Sequence, residues 1–362
     1  MKDKFEIDPD ITKAETLPAS FYRDARVFEA LKEKVFLRSW QWLGDESLVA
    51  LPGTVHPMVL LEGFLTEPIV LTRDQDDTIH CLTNVCTHRG NLVALHPAQS
   101  KRLICTYHGR RFALDGQFES MPEFEEAKDF PRPCDHLHRF ELTHWGPLLF
   151  AGLNPDFQFD KVIDKMNERV GFLPLNEFAY NDTLSKDFLV HAHWALYCDN
   201  YLEGFHIPFV HEGLSKALDY GSYTTEVYDY CSVQIGYTQE ATEIFDLPEG
   251  HPDHGKRVAA YYYWVFPNMM FNFYPWGLSV NIIKPIDLQR TKVSFLTYVY
   301  DPSKLEKGAG RELEKVERED EFVIENVQKG VNSNFYNAGR FSPRREKGVH
   351  HFHRLLARFL NK

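Results

Sequence analysis

Two short cysteine–histidine pairs constrain this chain more than any other feature. Cys86 and His88 are separated by one residue, Cys105 and His108 by two, and sixteen residues lie between the two pairs. Each pair offers one thiolate and one imidazole, which are typical ligands of zinc and iron. Zinc fingers usually take both cysteines from one turn and both histidines from a helix. The spacing therefore leaves two possibilities: a closed zinc site, or a [2Fe–2S] cluster in which cysteines bind one iron and histidines the other.

Composition limits the classes of protein that this chain can belong to. The chain has 362 residues and is 43% hydrophobic, with 28 Phe and 17 Tyr, which is enough for two packed domains. A formal charge of −12 disfavours nucleic acid as a partner, because phosphate binding needs a basic surface. No signal-like N-terminus and no uncharged run of membrane-spanning length is present, which predicts a cytoplasmic protein with no membrane partner. The four cysteines outside the two pairs are expected to be buried apolar side chains.

The pattern of apolar residues divides the chain into three segments. Helical spacing of Val27, Leu31 and Val35 predicts a helical N-terminal segment over residues 1–45, which we expect to pack on the third segment. Residues 46–155 hold short apolar runs separated by charged or glycine-containing turns, which predicts a small antiparallel β domain that carries both cysteine–histidine pairs.

The third segment, residues 156–362, mixes strands and helices. A strand is predicted to enter a helix over residues 187–206, strands dominate residues 222–300, and a long helix is predicted from about Pro302 to Val331. This order predicts an α+β fold in which helices cover one face of an antiparallel sheet.

The residues around the cysteine–histidine pairs resemble a known family. The segments "CTHRG" and "CTYHGRRFALDG" resemble the two cluster loops of Rieske proteins, and they are similar to those of the oxygenase branch. The resemblance implies a [2Fe–2S] cluster bound by Cys86, His88, Cys105 and His108.

A Rieske cluster transfers single electrons, so an oxygenase also needs a catalytic centre. The segment "ALYCDNYLEGFHIPFVH" places Glu203 and His206 three residues apart on a predicted helix, where they would share one face. Pro208 is expected to end that helix, so that His211 can return beside His206. Two histidines and one carboxylate with open positions form the iron site of non-haem Fe(II) oxygenases. A single His-x4-His pair commonly occurs by chance. The Rieske-like loops in the same chain are what support the interpretation of this pair as metal ligands.

The same segment resembles the catalytic motif of Rieske non-haem iron oxygenase α-subunits. The motif residues follow in the order Asn200, Glu203, His206, His211, and the resemblance covers nearly the whole chain. It implies a Rieske domain joined to a helix-grip catalytic domain, with Asn200 and Glu203 as catalytic residues. It also implies that Glu203 connects His206 to His108 of a neighbouring chain in a homotrimer. Most members have aspartate at this place; glutamate is similar to the subset that oxidises quaternary ammonium compounds such as carnitine.

The third iron ligand is predicted on the last long helix. At roughly 100° per residue, Asp320 falls at the centre of an apolar face, whereas Glu319 and Glu321 lie to either side. A carboxylate on a buried face must be paired or bind metal. We therefore predict Asp320 as the ligand and keep Glu319 as the alternative; an ordinary ion pair or helix cap is the competing explanation. The predicted apolar face consists of Leu313, Val316, Val323, Ile324, Val327 and Val331.

These motifs together predict the terminal oxygenase of a Rieske monooxygenase system. Electrons from NAD(P)H would arrive through a separate flavin or ferredoxin reductase, because no nucleotide or flavin fingerprint is present. With O2, the protein would hydroxylate or N-demethylate a small, betaine-like quaternary ammonium substrate. The aromatic segment 261–277 would mostly fill the sheet core, with a few side chains facing the substrate. The alternatives are a ring-dihydroxylating dioxygenase or O-demethylase acting on an aromatic acid, a Rieske electron carrier without catalysis, and a zinc-stabilised binding protein.

Overall fold

The chain divides into two compact units. The computed structural model describes residues 4–239, 243–305, 307–310 and 313–362. The smaller unit is Leu37–Asp156, and the larger unit combines Met1–Phe36 with Phe157–Lys362. The first division thus falls nine residues before the predicted boundary at 45/46. The reason is that Trp40–Asp45 forms a strand of the smaller unit, where it pairs with Leu148–Gly152.

The smaller unit consists of short antiparallel strands, as its apolar runs predict. They form three sheets, with strand orders β1-β10-β9, β4-β3-β2-β5 and β6-β7-β8. The strands are β1 Trp40–Asp45, β2 Thr54–Leu60, β3 Glu67–Arg73, β4 Ile79–Thr83, β5 Ala98–Gln99, β6 Leu103–Ile104, β7 Arg111–Phe112, β8 Phe118–Ser120, β9 Glu141–Trp145 and β10 Leu148–Gly152. The two cysteine–histidine pairs lie in the loops that follow β4 and β6.

A buried ion pair stabilises the smaller unit beside its cluster loops. Arg110 is 1% exposed and donates through Nη2 to Asp135 Oδ1 at 2.9 Å. The guanidinium also lies over the ring of Phe118, at 4.9 Å from the ring centroid. Burial raises the pKa of Asp135, but donation from the backbone N–H of Arg132 and from Arg110 outweighs it and leaves that pKa below its ordinary value.

Asp135→Ala is expected to lower the free energy of unfolding by about 3–5 kcal/mol, because it leaves the Arg110 charge buried without its partner. Urea unfolding, followed by fluorescence and by the visible absorbance of the loaded protein, measures the effect. Glu119→Ala is the matched control: it breaks the exposed Arg102–Glu119 pair of the same unit and should cost less than about 1 kcal/mol. Because the pKa of Asp135 is lowered on folding, its contribution exists above the unfolded-state pKa and is lost as the pH falls through the folded-state pKa. Equal losses in the two variants would contradict this role.

The larger unit is built on one antiparallel sheet with the strand order β11-β17-β16-β15-β14-β13-β12. Its strands are β11 Ala179–Val190, β12 Thr224–Val227, β13 Cys231–Tyr237, β14 Val258–Val265, β15 Met269–Tyr274, β16 Gly277–Asp287 and β17 Arg290–Val299. Its α-helices are α1 Ala19–Arg23, α2 Ala25–Leu31, α3 Asp160–Val170, α4 Trp194–Tyr201, α5 Ile207–Val210, α6 Glu212–Ala217, α7 Leu313–Val331 and α8 Lys347–Leu360. This confirms the predicted α+β class. No helix among the described residues has the length and apolarity needed to cross a bilayer.

The long helix differs from its prediction in where it starts and in which face it buries. Within the described residues, α7 begins at Leu313 and not near Pro302. Gly308 has φ +63°, which lies outside the α-helical region, and Gly308–Gly310 forms only a short 3₁₀ segment before α7. Val327, expected on the apolar face, is 43% exposed. The buried residues of α7 are Glu317, Ile324, Gln328 and Val331.

Hydrogen bonds to the chain around α4 explain why polar side chains occupy the buried face of α7. Tyr197 Oη donates to Glu317 Oε2 at 2.5 Å, and Asn200 Nδ2 donates to Asp320 Oδ1 at 2.7 Å. Tyr197 and Asn200 are three residues apart on α4, and Glu317 and Asp320 are three residues apart on α7. The two hydrogen bonds therefore lie one helical turn apart along the same helix–helix contact. Further along, Gln328 Oε1 accepts from the backbone N–H of His193 at 2.8 Å. These hydrogen bonds give each buried polar side chain of α7 at least one partner, beside the buried apolar residues Ile324 and Val331.

The terminal segments of the larger unit are bound to each other. Leu17 N–H donates to His353 Nδ1 at 3.0 Å, and Phe5 N–H donates to Asn361 Oδ1 at 3.1 Å. His353 Nε2 lies 2.8 Å from Asp199 Oδ1, which holds α8 against α4. Of the four cysteines outside the pairs, Cys134 is exposed, so the expectation that all four are buried is wrong for this one.

Candidate metal centres and active-site cavity

The two cluster loops close in the same way. In the first, Cys86 N–H donates to Asn91 O at 2.8 Å and Gly90 N–H donates to Cys86 O at 3.0 Å. In the second, Cys105 N–H donates to Arg110 O at 2.9 Å and Gly109 N–H donates to Cys105 O at 3.0 Å. Gly90 and Gly109 have φ values of +74° and +73°, a conformation in which a side chain is strained. Each tight turn therefore presents one sulfur and one imidazole at the same end of the unit.

The four side chains in these loops fit a cluster better than a single ion. Cys86 and Cys105 are 3% and 2% exposed and belong to the apolar core, whereas His88 and His108 are partly exposed, with ring centroids 4.7 Å apart. Four ligands of one tetrahedral zinc would lie mutually close. Among the described residues, these four are not found as one set of mutually close ligand atoms; the two cysteines are buried, and the two imidazoles lie side by side at the partly exposed edge. This separation fits a Rieske cluster, in which two cysteines bind one iron and two histidines bind the other.

Polar donors favour a thiolate at one of these cysteines. Burial raises the pKa of Cys105, but the backbone N–H of Tyr107 and the side chain of Asn91 donate to its sulfur and together bring the pKa below its ordinary value. The Asn91 Nδ2–Sγ distance is 3.5 Å. A thiolate is the form that binds metal.

A second set of metal-ligand side chains lies in the larger unit. One ligand atom from each of His206, His211 and Asp320 lies within 4.8 Å of the others, the only such set of three or more found among the described residues. Asp320 Oδ1 lies 3.0 Å from His211 Nε2 and 3.6 Å from His206 Nε2. Two imidazoles and a carboxylate that converge in this way fit a mononuclear Fe(II) ion.

The outward-facing ring nitrogens of the two histidines are both held by carboxylates. His206 Nδ1 lies 2.7 Å from Glu203 Oε1, and His211 Nδ1 lies 2.7 Å from Glu319 Oε2. Because a carboxylate accepts a hydrogen bond, we assign the proton of each ring to Nδ1, which leaves Nε2 with its lone pair directed inward. Asn200 Nδ2 donates to Asp320 Oδ1 at 2.7 Å, the same carboxylate oxygen that faces the two imidazoles. Glu319 thus lies beside His211 but outside the converging set, whereas Asp320 belongs to that set.

The local backbone differs from the prediction that one helix carries Glu203 and His206. Helix α4 ends at Tyr201, Glu203 lies in the following turn, and α5 begins directly after His206. Pro208 therefore lies in the first turn of a helix and does not end one. The first turn tolerates proline because the missing N–H would have no partner within the helix. The Glu203 carboxylate contacts His206 twice: Oε2 accepts a hydrogen bond from the His206 backbone N–H at 3.1 Å, and Oε1 lies 2.7 Å from ring Nδ1.

A cavity of about 760 Å³, including its opening to solvent, adjoins the three converging side chains. Its wall is rich in aromatic rings, of which only two come from the segment 261–277. The aromatic residues other than histidine that line it are Tyr197, Tyr201, Tyr223, Tyr262, Tyr274 and Phe295. Four of these were not predicted from the sequence: Tyr197 and Tyr201 lie on α4, Tyr223 lies in the loop before β12, and Phe295 lies on β17.

Strand register explains the polar part of the cavity wall. Gln234 pairs with Tyr262, Tyr262 with Asn272, and Asn272 with Ser279, so that these residues form one row across β13, β14, β15 and β16. All four line the cavity. Tyr263, one residue from Tyr262, is fully buried on the opposite face, as alternation along a strand requires. The cavity is thus floored by one face of the sheet and closed by α4, α7 and the segment around α5.

Comparison with known families identifies the class of protein. The family model "Ring hydroxylating alpha subunit (catalytic domain)" matches residues 177–362, and the model "Rieske [2Fe-2S] domain" matches residues 39–131. The chain belongs to the family of ring-hydroxylating oxygenase α-subunits. It is a Rieske-type non-haem iron oxygenase, with a [2Fe–2S] domain and a mononuclear iron domain, as the sequence motifs predict.

Curated relatives match over almost the whole chain. Choline monooxygenase of Arabidopsis thaliana is 28% identical over 375 aligned positions, covering 97% of this chain and 85% of the relative. The carnitine monooxygenase oxygenase subunit of Escherichia coli K12 is also 28% identical, covering 95% of this chain and 94% of the relative.

Solved structures share the fold. A quaternary ammonium Rieske monooxygenase superposes with a TM-score of 0.77 at 22% identity, covering 98% of this chain and 99% of that one. Naphthalene 1,2-dioxygenase from Rhodococcus sp. superposes with a TM-score of 0.69 at 17% identity, covering 95% and 94%. The α+β arrangement of a Rieske domain and an antiparallel catalytic domain is therefore that of Rieske oxygenase α-subunits.

Proposed function

We propose that this protein is the terminal oxygenase of a system that hydroxylates a small quaternary ammonium compound. Choline and carnitine monooxygenases are among its relatives, and the cavity beside the His206–His211–Asp320 set supplies the independent support. In the reaction, substrate C–H, O2, two electrons and two protons give C–OH and water. Hydroxylation of an N-methyl group gives a hemiaminal, which breaks its C–N bond to release formaldehyde and a tertiary amine.

The observation that carries this proposal is the combination of aromatic rings and negative charge in the cavity. Six aromatic residues other than histidine line it, and tyrosine faces attract a quaternary ammonium group through the quadrupole of the ring. Burial raises the pKa of Tyr262 above its ordinary value, so this ring stays a neutral phenol. Among the lining residues in the described part of the chain, none is lysine or arginine, and three are carboxylic acids. This balance favours a substrate with a positive charge over the alternative, an aromatic acid, which carries a negative charge only and would meet no cationic side chain among these residues.

The residues around the iron site would position the reacting partners. His206, His211 and Asp320 would hold Fe(II), which when bound supplies the activation of O2. Glu203 and Glu319 keep the Nδ1 protons in place and so fix both ring orientations. The tyrosines would hold the methyl groups of the substrate beside this site, and residues of α4 and α7 form the wall opposite the sheet.

The arrangement of chains is part of the same proposal. Glu203 would accept a hydrogen bond from the His206 ring on one side and contact His108 of a neighbouring chain on the other. A head-to-tail contact of this kind closes into a ring, so a homotrimer is expected. A separate flavin or ferredoxin reductase would deliver electrons from NAD(P)H. A cytoplasmic location stays a prediction; the plant relatives are named as chloroplastic.

A product screen tests the substrate class. Protein reconstituted with iron and sulfide is incubated with a surrogate reductase, NADH, O2 and either methylated amines or aromatic acids, and products are identified by mass spectrometry. We expect oxygen incorporation into choline-like or betaine-like compounds, with one NADH and one O2 consumed per product, and no product from benzoate. Formaldehyde release would identify attack on an N-methyl group. Coupled turnover of aromatic acids alone would contradict the proposal.

A further inference from the structure

We propose that Glu317 is the residue that selects a positively charged substrate, acting as the counter-ion of the ammonium group in the cavity. This inference rests on the proposed function and extends it by naming the side chain that distinguishes a cation from a neutral molecule of the same shape.

The position of Glu317 is unusual for a carboxylic acid. It is 2% exposed, it lies on α7 one turn before Asp320, and it lines the same cavity. One carboxyl oxygen accepts the Tyr197 hydroxyl at 2.5 Å, whereas Oε1 is buried and has no hydrogen-bond partner among the described residues. A buried carboxyl group that lacks a partner costs free energy unless binding supplies one.

The other two carboxylic acids of the cavity wall are already engaged. Asp320 belongs to the converging metal set and accepts from Asn200, and Glu203 accepts the ring of His206. Only Glu317, among the described lining acids, has no imidazole, metal set or cationic side chain as its partner. Glu317 is therefore the carboxylic acid of the cavity wall that can pair with a positively charged group of the substrate.

The charge state of Glu317 is consistent with such a role. Burial raises its pKa to about 8, although the Tyr197 hydrogen bond acts in the opposite direction. A cation placed nearby favours the ionised carboxylate, since opposite charges within about 4–6 Å stabilise each other. Burial also means that this attraction is weakly screened, so its effect on binding exceeds that of a surface pair.

A pair of ligands that differ only in charge tests the inference. Choline and 3,3-dimethylbutan-1-ol have the same shape, but a carbon replaces the nitrogen in the second. Their dissociation constants, together with that of tetramethylammonium, are measured by calorimetry on the loaded protein, and KM and kcat are measured with the reductase. In Glu317→Gln, which keeps an acceptor for Tyr197, we expect both cations to bind about tenfold or more weakly, a loss of about 1.4 kcal/mol per tenfold. The neutral alcohol should change by less than about twofold.

Two further variants complete the test. Glu317→Met, similar in length and without charge, should bind the neutral alcohol more tightly than the parent protein does. Glu314→Gln is the matched control, because Glu314 lies on the same helix, is exposed and pairs with Lys186; it should change nothing. Equal losses for choline and its neutral analogue in Glu317→Gln, or no loss for either, would overturn the assignment.

The outcomes for Glu317 and for the proposed function are separable. If the parent protein binds tetramethylammonium in a Glu317-dependent way but oxidises no methylated amine, the proposed function fails and the cation site stands. If the parent protein oxidises choline yet binds choline and its neutral analogue equally well, the role of Glu317 fails and the function stands. Binding of no cation to the parent protein overturns both.

Discussion

Asp320→Ala is expected to remove the mononuclear iron and to reduce turnover by more than about 100-fold. Loss of a residue that only hydrogen-bonds to a metal ligand costs up to about 100-fold, and loss of a ligand itself should cost more. Asp320 supplies the single carboxylate of a three-residue set, so its removal leaves two histidines to hold the ion. The visible spectrum and the sulfide content of the cluster should be unchanged, because the four predicted cluster ligands lie in the other unit. Iron per chain, determined by metal analysis, should fall from three to two.

Glu319→Gln is the control that separates the two neighbouring acids. Glu319 contacts His211 Nδ1 from outside the set, and glutamine can still accept that N–H. This variant should keep its mononuclear iron and lose about tenfold or less in turnover. The assignment of Asp320 is wrong if Asp320→Ala retains iron and activity while Glu319→Ala loses both.

Glu203→Gln is expected to leave both metal centres loaded and to slow electron transfer between them by roughly 100-fold. In the proposed trimer, the Glu203 carboxylate connects His206 to the cluster histidine of the next chain, and its charge stabilises the hydrogen bonds on both sides. Single-turnover mixing of reduced protein with substrate and O2, followed by the absorbance of the cluster, measures this step directly.

The chain itself offers a matched control for Glu203. Glu319 holds the other iron-site histidine at the same 2.7 Å distance but is not proposed to contact a second chain. If Glu203→Gln acts only by disturbing a histidine ring, Glu319→Gln should slow cluster reoxidation to a similar extent. If Glu203 lies on the path between chains, only its own variant should show the large effect. An active monomer would also remove Glu203 from this path.

The metal-ligand residues could be predicted because their signals are short-range. The cysteine and histidine of each pair lie within three positions of each other, and His206 and His211 are five residues apart. The structure brings His206 and His211 together with Asp320, although their role as ligands stays a prediction. The prediction of Asp320 rested on a helical face whose composition was partly wrong: Val327 is exposed, and Glu317 and Gln328 are buried. Apolar periodicity located the inward side of α7 only roughly, because that side also buries polar residues, which hydrogen-bond to the chain around α4.

Features that depend on distant pairing could not be predicted. Trp40–Asp45 continues a helical segment in the sequence, yet its partner strand lies about a hundred residues later, and this moved the domain boundary. The wall of the cavity depends likewise on register. Alternation in "YYYW" shows that Tyr262 faces away from Tyr261 and Tyr263, but not which face is the cavity. That choice follows from the partners Gln234 and Asn272 on the neighbouring strands.

The insertion of the smaller unit into the larger one sets an order of maturation. Residues 37–156 are continuous, so every side chain predicted to hold the cluster has left the ribosome well before the larger unit can close. The larger unit closes late, since its N-terminal segment around Leu17 binds His353 in the final helix. Asp320 likewise joins His206 only after more than a hundred further residues have been synthesised. The predicted cluster ligands therefore need only one continuous stretch of chain, residues 37–156, whereas the predicted iron set needs segments that are more than a hundred residues apart.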